Sequence, residues 1–110
     1  PVEKQNFKNV TFTESVSEAV KGCDLITTDV WISMGDERES EKRIKAFENY
    51  QVNENTLDQA NSDVMFLHCL PAIKGQEIST TLLDDQRSRV WRQAENRLHA
   101  QKGLLIELLN

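Results

Sequence analysis

The stretch "DVMFLHCLPA", residues 63–72, decides the reading of the fold. Four apolar residues, Val64 to Leu67, run without alternation into His68 and Cys69, and Leu70-Pro71 comes at once after them. An unbroken apolar run of this length predicts a parallel strand buried on both faces. Proline cannot donate to a sheet ladder, so the strand must stop there. In open α/β sheets ligands bind outside the carboxyl ends of the strands, which makes the body of this strand core and its end a candidate site. The X-Pro bond at the exit is a candidate cis peptide that would aim the Leu70 carbonyl into the crevice. A second stretch, "DLITTDVWISMG" at 24–35, ends in the same manner. Its β-branched residues predict a strand over 24–30, so Asp29 and Cys69 are expected on one edge of the sheet.

Working outward, the apolar period switches between strand and helix. "NVTF" (9–12) reads as a short extended run. Thr13 is a candidate cap for a helix through Lys21, with Val16, Ala19 and Val20 on one face and Gly22 as the stop. A charged helix is predicted over 36–50, with Glu39–Arg43 and Glu41–Lys45 pairs and a narrow inner face of Ile44 and Phe47. A short helix over 53–61, a helical turn or two over 79–85, an extended "SRVW" (88–91) and a helix from about Arg92 to Leu109 complete the pattern. Strand-helix alternation of this kind predicts an α/β fold, a partial Rossmann-like parallel sheet with helices on both faces.

The chain has 110 residues, enough for one domain or less, and 38% hydrophobic content is lean for a self-sufficient core. A net charge of −5 argues against nucleic acid or an anionic membrane as the main partner. No apolar run approaches a membrane span, and the first ten residues lack the apolar core of a signal peptide. Two cysteines, Cys23 and Cys69, make no disulfide framework and suit reduced thiols in a cytoplasmic protein. Cys69, His68 and His99 do not have the spacing of a metal site, and no Gly-rich phosphate loop exists; neither metal nor cofactor is expected.

Several residues carry two readings. Asp29 serves either as a loop carboxylate capping the next helix or as an anion at a strand end placed to hold an amine, with Ser33, Met34 and Gly35 as a pliable flap. Cys69 taken singly is a small buried hydrophobe, but its place between His68 and Leu70-Pro71 favours a site. His68 reads equally as a structural group or as a proton carrier. Cys23, beside Gly22, reads as packing. Glu95, Arg97 and His99 in "AENRLHAQ" (94–101) are ordinary solvated helix positions. Arg97 gains a role only if it turns back to the sheet, where its planar fork could bind a carbonyl or phosphate oxygen.

Taken together, "DVWISMG", "FLHCLPA" and "QAENRLHAQ", in this order and at these separations, resemble the carboxyl-terminal part of the ornithine carbamoyltransferase family from about Val10 to Leu109. The resemblance implies that residues 1–110 are part of an ornithine-binding domain, with the carbamoyl phosphate domain and its Ser-Thr-Arg-Thr motif absent from this chain. It implies transfer of a carbamoyl group from carbamoyl phosphate to the δ-amino group of ornithine, giving citrulline and phosphate in arginine metabolism. By matching position, Asp29, Ser33 and Met34 would contact ornithine. Cys69 and Leu70 would line the reacting centre on the carbamoyl phosphate side with Arg97, and Cys69 and Asp29 would be catalytic. A homo-oligomer built from trimers is implied for the intact family. Ile73-Lys74-Gly75 departs from the family's frequent His-Arg-Gly, so positions 73–74 receive no role. A carbamoyltransferase for another amine, such as putrescine or an acylated ornithine, is the nearest rival, and Ser33-Met34-Gly35 speaks against it. A non-catalytic binding module of the same fold is the rival from another class.

Overall fold

A computed structural model describes residues 8–32 and 40–110. The element order is α1 (Val16–Val20), β1 (Leu25–Thr28), α2 (Ser40–Phe47), α3 (Glu54–Asp58), β2 (Met65–His68) and α4 (Val90–Leu109). Single 3-10 turns lie at Glu48–Tyr50 and Leu82–Asp84. The two strands pair in parallel, Leu25 with Met65 through Thr28 with His68. Parallel neighbours need a crossover, and α2 and α3 occupy it.

The pairing is fastened at its amino ends and along the outer side of β2. At the amino ends of the strands, Asn61 donates through Nδ2 to the Gly22 carbonyl (3.1 Å) and to Asp24 Oδ1 (2.6 Å). The backbone continues this seam, Asn61 N–H to the Cys23 carbonyl and Met65 N–H to the Asp24 carbonyl. On the far side of β2 the segment 87–89 acts as a fragment of a third strand. Phe66 N–H donates to the Arg87 carbonyl, and Arg89 N–H donates to the Phe66 carbonyl. Arg87 is held by Asp85 on two oxygens (3.0 and 2.9 Å) and by Asp58 at the end of α3 (2.7 Å).

Phe66, Leu57, Ile78, Leu82, Val64 and Val90 form the centre of the core, each essentially without exposure. Thus β2 alternates, in contrast to the burial on both faces that its apolar run predicts. Phe66 and His68 are buried, whereas Met65 is 42% exposed and its partner Leu25 44%. The reason is that the second face is only flanked. Met65 and Leu67 look into an open groove of about 320 Å³ whose other wall is Arg92, Gln93 and Asn96 of α4.

Other expectations shift by local chemistry. Ser15, not Thr13, caps α1, accepting from Glu18 N–H; Thr13 sits outside it, accepting from Ser15 N–H and donating to Glu18. Gly22 ends α1 at φ 74°, in keeping with its reading as the stop. "NVTF" is not a strand among the described residues: Val10 and Phe12 stay exposed, and an extended segment without a neighbour has no ladder. Asn53 and Thr56 form a reciprocal capping box on α3. In "SRVW" only Ser88 is extended, in a bridge to Phe66, and α4 starts at Val90. The predicted helix 36–50 begins outside the described residues; within them it runs as Ser40–Phe47 and the 3-10 turn. There Phe47 stacks on Trp31 (6.2 Å) and meets Tyr50 edge-on (6.3 Å), fastening α2 to the chain just past β1.

Truncating the central ring, Phe66→Ala, is expected to cost about 3–5 kcal/mol, read from denaturant melts. Asp85 supplies an acid-side dependence. Its bond to Arg87 holds the carboxyl below the usual carboxylate range, so its contribution is present above the unfolded value, near 3.8, and is lost as pH falls through the lower folded value. Asp85→Asn is expected to flatten the pH dependence of stability in that window, checked by melts between about pH 2 and 6.

Candidate active site

Because Thr28 pairs with His68, the next residues, Asp29 and Cys69, leave the sheet side by side at its carboxyl edge. Cys69 Sγ donates to Asp29 Oδ1 at 3.0 Å, and Val30 N–H donates to the same oxygen at 2.7 Å. Among the described residues Oδ2 takes no hydrogen bond and remains available to a cation. Both residues are exposed at the rim, not lost in the core. The thiol bond, and after it the Val30 N–H, holds the Asp29 carboxyl below its ordinary range. The same bond, with desolvation and the carboxylate's charge, pushes the Cys69 thiol up, while Arg97 pulls the other way. Asp29 is therefore an anion at neutral pH and Cys69 a protonated thiol, a donor and not a nucleophile.

Beneath this rim lies a buried polar pair. His68 is 1% exposed and Glu77 0%. Leu70 N–H donates to His68 Nδ1 (2.9 Å), so the ring proton sits on Nε2, which faces Glu77 Oε1 at 3.2 Å. The same Glu77 oxygen accepts from Ile73 N–H at 2.6 Å. These bonds pin a turn in which Leu70 lies at φ 56° and the Leu70–Pro71 peptide is cis, as expected from the proline at the strand exit. A leucine in the left-handed region is held there by its surroundings, and such residues gather at functional sites.

Of the candidates, Asp29, Cys69 and Leu70 are brought together on one edge. Arg97 lies on α4, exposed, with its charge felt at the Cys69 thiol. Ser33 and Met34 lie outside the described residues. His68 takes the structural reading. Cys23 packs on the core, its Sγ donating to the Ala19 carbonyl at 3.0 Å. Glu95 and His99 are solvated and face each other at 3.9 Å. Sequence reasoning missed Glu77 and Gln93. Glu77 could have been sought as the partner that a histidine ending a buried strand must find. Gln93 stands four residues before Arg97 and so shares its face of the helix.

The family model described as aspartate/ornithine carbamoyltransferase, Asp/Orn binding domain, matches residues 2–108, and the chain belongs to this family. It is 60% identical over 92 residues to the ornithine carbamoyltransferase of Chromohalobacter salexigens, covering 84% of this chain and 30% of that protein. It is 63% identical over 92 residues to the anabolic ornithine carbamoyltransferase of Pseudomonas aeruginosa, with the same coverage. Among solved structures, anabolic ornithine carbamoyltransferase from Campylobacter jejuni superposes with a TM-score of 0.79 at 40% identity, over 86% of this chain and 31% of that one. The enzyme from Pyrococcus furiosus superposes at 0.74 with 52% identity, over 82% and 29%. The chain thus spans about a third of the length of the relatives it matches, and the fold is the Rossmann-like α/β type.

Removing the carboxylate charge lowers the thiol's pKa and raises its thiolate fraction. Asp29→Asn is therefore expected to speed alkylation of Cys69 near pH 8 by about threefold or more, with the half-buried Cys23 as internal reference. Peptide mass mapping over time reads it.

Proposed function

We propose that this chain supplies the amine-binding half of an enzyme that moves a carbamoyl group from carbamoyl phosphate to the δ-amino group of ornithine, giving citrulline and phosphate. The observation that carries the reading is the Asp29–Cys69 contact at the carboxyl edge of two parallel strands, with Arg97 charged nearby. The names of the relatives support the same chemistry, and the anabolic naming of one supports a role in arginine synthesis.

The groups fit the reaction's needs. An alkylammonium is not a nucleophile, so the site must attract the cation and still let it lose a proton. Asp29, ionised and too weak a base to keep that proton, supplies attraction through Oδ2. Cys69 offers its sulfur as a soft contact that orients the nitrogen. The amine lone pair then forms the N–C bond and the C–O bond to phosphate breaks. Two protons leave the nitrogen overall, one of them to the departing phosphate. Charge grows on the carbamoyl oxygen in the transition state, and Arg97 is the cation available to meet it. The Leu70 carbonyl, turned by its left-handed backbone, accepts from the carbamoyl NH2 instead. Ser33 and Met34 are assigned to ornithine on the motif alone.

The donor's phosphate is assigned to residues beyond these 110, and assembly into trimers is proposed with them. Among the described residues no helix is long and apolar enough to cross a membrane; a cytoplasmic setting is part of the proposal. The outer part of α4, from Leu98 to Leu109, carries apolar side chains 56–83% exposed, which suits packing on a further domain or subunit.

The test grafts this segment in place of the matching part of the Chromohalobacter salexigens relative. Cys69→Ala is expected to lower kcat/KM for ornithine more than for carbamoyl phosphate, and Arg97→Ala to do the reverse, each by about tenfold or more in steady-state kinetics. Equal losses for both substrates in both variants would refute the division of roles. The 110-residue chain alone is expected to form no citrulline, because holding two substrates together accounts for about 7–11 kcal/mol of such a barrier.

A further inference from the structure

The ladder on the outer edge of β2 has an unusual last rung. Alternate residues of a parallel strand send their N–H groups to the same neighbour. Phe66 N–H finds the Arg87 carbonyl, and Arg89 N–H returns to the Phe66 carbonyl. The next N–H on that side belongs to His68, but by then the neighbouring chain has coiled into α4 at Val90. No backbone carbonyl remains in register. Gln93 fills the place: its side-chain Oε1 accepts from His68 N–H at 3.0 Å. Gln93 is itself tied into the first turn of α4, its N–H donating to the Arg89 carbonyl at 2.8 Å.

This bond adds a second tie between two elements that are otherwise joined at the helix cap, where Arg89 N–H donates to the Phe66 carbonyl. On one side is the residue immediately before Cys69. On the other is the helix that bears Arg97, four residues and about one turn beyond Gln93, hence on the same face. A helix tied to a strand at its cap alone can still roll about that point. A second hydrogen bond one turn further along, in the ladder direction, fixes its rotation as well. We propose that Gln93 is a positioning residue that completes the β2 ladder and thereby sets the Arg97 guanidinium over the Asp29–Cys69 edge. The proposal rests on the carbamoyl-transfer reading for its purpose, but the geometry it asserts is independent of substrate.

The experiment therefore uses no substrate. If the Arg97 guanidinium sits over this edge its positive charge lowers the Cys69 thiol's pKa, so the pH profile of Cys69 alkylation reports where that charge sits. The 110-residue chain and its Arg97→Ala, Gln93→Met and doubly substituted forms are alkylated across about pH 7–10, and Cys69 is followed by peptide mass mapping. Arg97→Ala is expected to slow Cys69 at pH 8 about two- to threefold by raising its pKa. Gln93→Met, similar in size but without an acceptor, is expected to slow it by most of the same factor and to add nothing in the Arg97→Ala background. The His68 amide, bonded to Gln93 Oε1, is expected to be protected from hydrogen exchange in the parent and to lose that protection in Gln93→Met. Gln93→Asn, whose acceptor stops one methylene short, is the milder variant should Gln93→Met fail to fold, with the same expectations. An unchanged Cys69 profile in folded Gln93 variants would overturn the proposal. So would a loss that persists undiminished without Arg97, or an unchanged profile in Arg97→Ala. Failure of the grafted enzyme to make citrulline, with these profiles as expected, would refute the assigned reaction and leave the positioning role standing.

Discussion

The pairing of Thr28 with His68 is the constraint on which the rest depends. In a parallel ladder a shift of one residue would turn each side chain of β2 to the opposite face. Phe66 would leave the core, Met65 would enter it, and the Cys69 sulfur would point away from Asp29. Register is thus enforced by the core: Ile26 and Phe66 must face inward together, and once they do the two strand ends are in step. The Asp29–Cys69 contact is a by-product of burying two apolar residues opposite each other.

The interior also reaches the rim through polar atoms. His68 faces inward like Phe66, away from solvent, so its ring must be satisfied by protein groups. Glu77 meets one nitrogen and Leu70 N–H the other. The second of these bonds folds the chain back sharply after Cys69, which is why a leucine accepts a left-handed backbone. A buried histidine therefore serves as the template for an exposed turn. Glu77 Oε2 finds no partner among the described residues, so the arrangement carries a cost, and the turn is what it sustains.

The strands and their ends are legible in the sequence because they arise from pattern: an unbroken apolar run, β-branched residues and a proline stop. Asp29 and Cys69 are found from where those strands end. The hidden parts depend on contacts far along the chain. Nothing near Glu77 says that its carboxylate will lie under His68, nine residues back. Nothing near Gln93 says that a helix will complete a ladder. The exchange of Thr13 for Ser15 as the cap of α1 has another origin: two hydroxyl residues stand within one turn, and either can serve. The exposed face of β2 escapes the sequence because an apolar run shows which residues avoid water but not which neighbours cover them.

The two edges of the sheet are not equally fastened. At the amino edge, Asn61 stitches β2 to β1 with backbone and side chain together. At the carboxyl edge, among the described residues, the bond across the strands beyond the last pair is a single thiol-to-carboxylate contact between residues forty apart. The chain separation is nearly the same at both edges, 37 and 39 residues at Asn61 against 40 here, so it is the number of bonds that sets the edges apart. In the native state the same asymmetry makes the sheet behave like a book bound along one spine. Local opening is favoured at the pages' free edge, where Asp29 and Cys69 lie and fewer bonds must break, over the bound edge at Asn61.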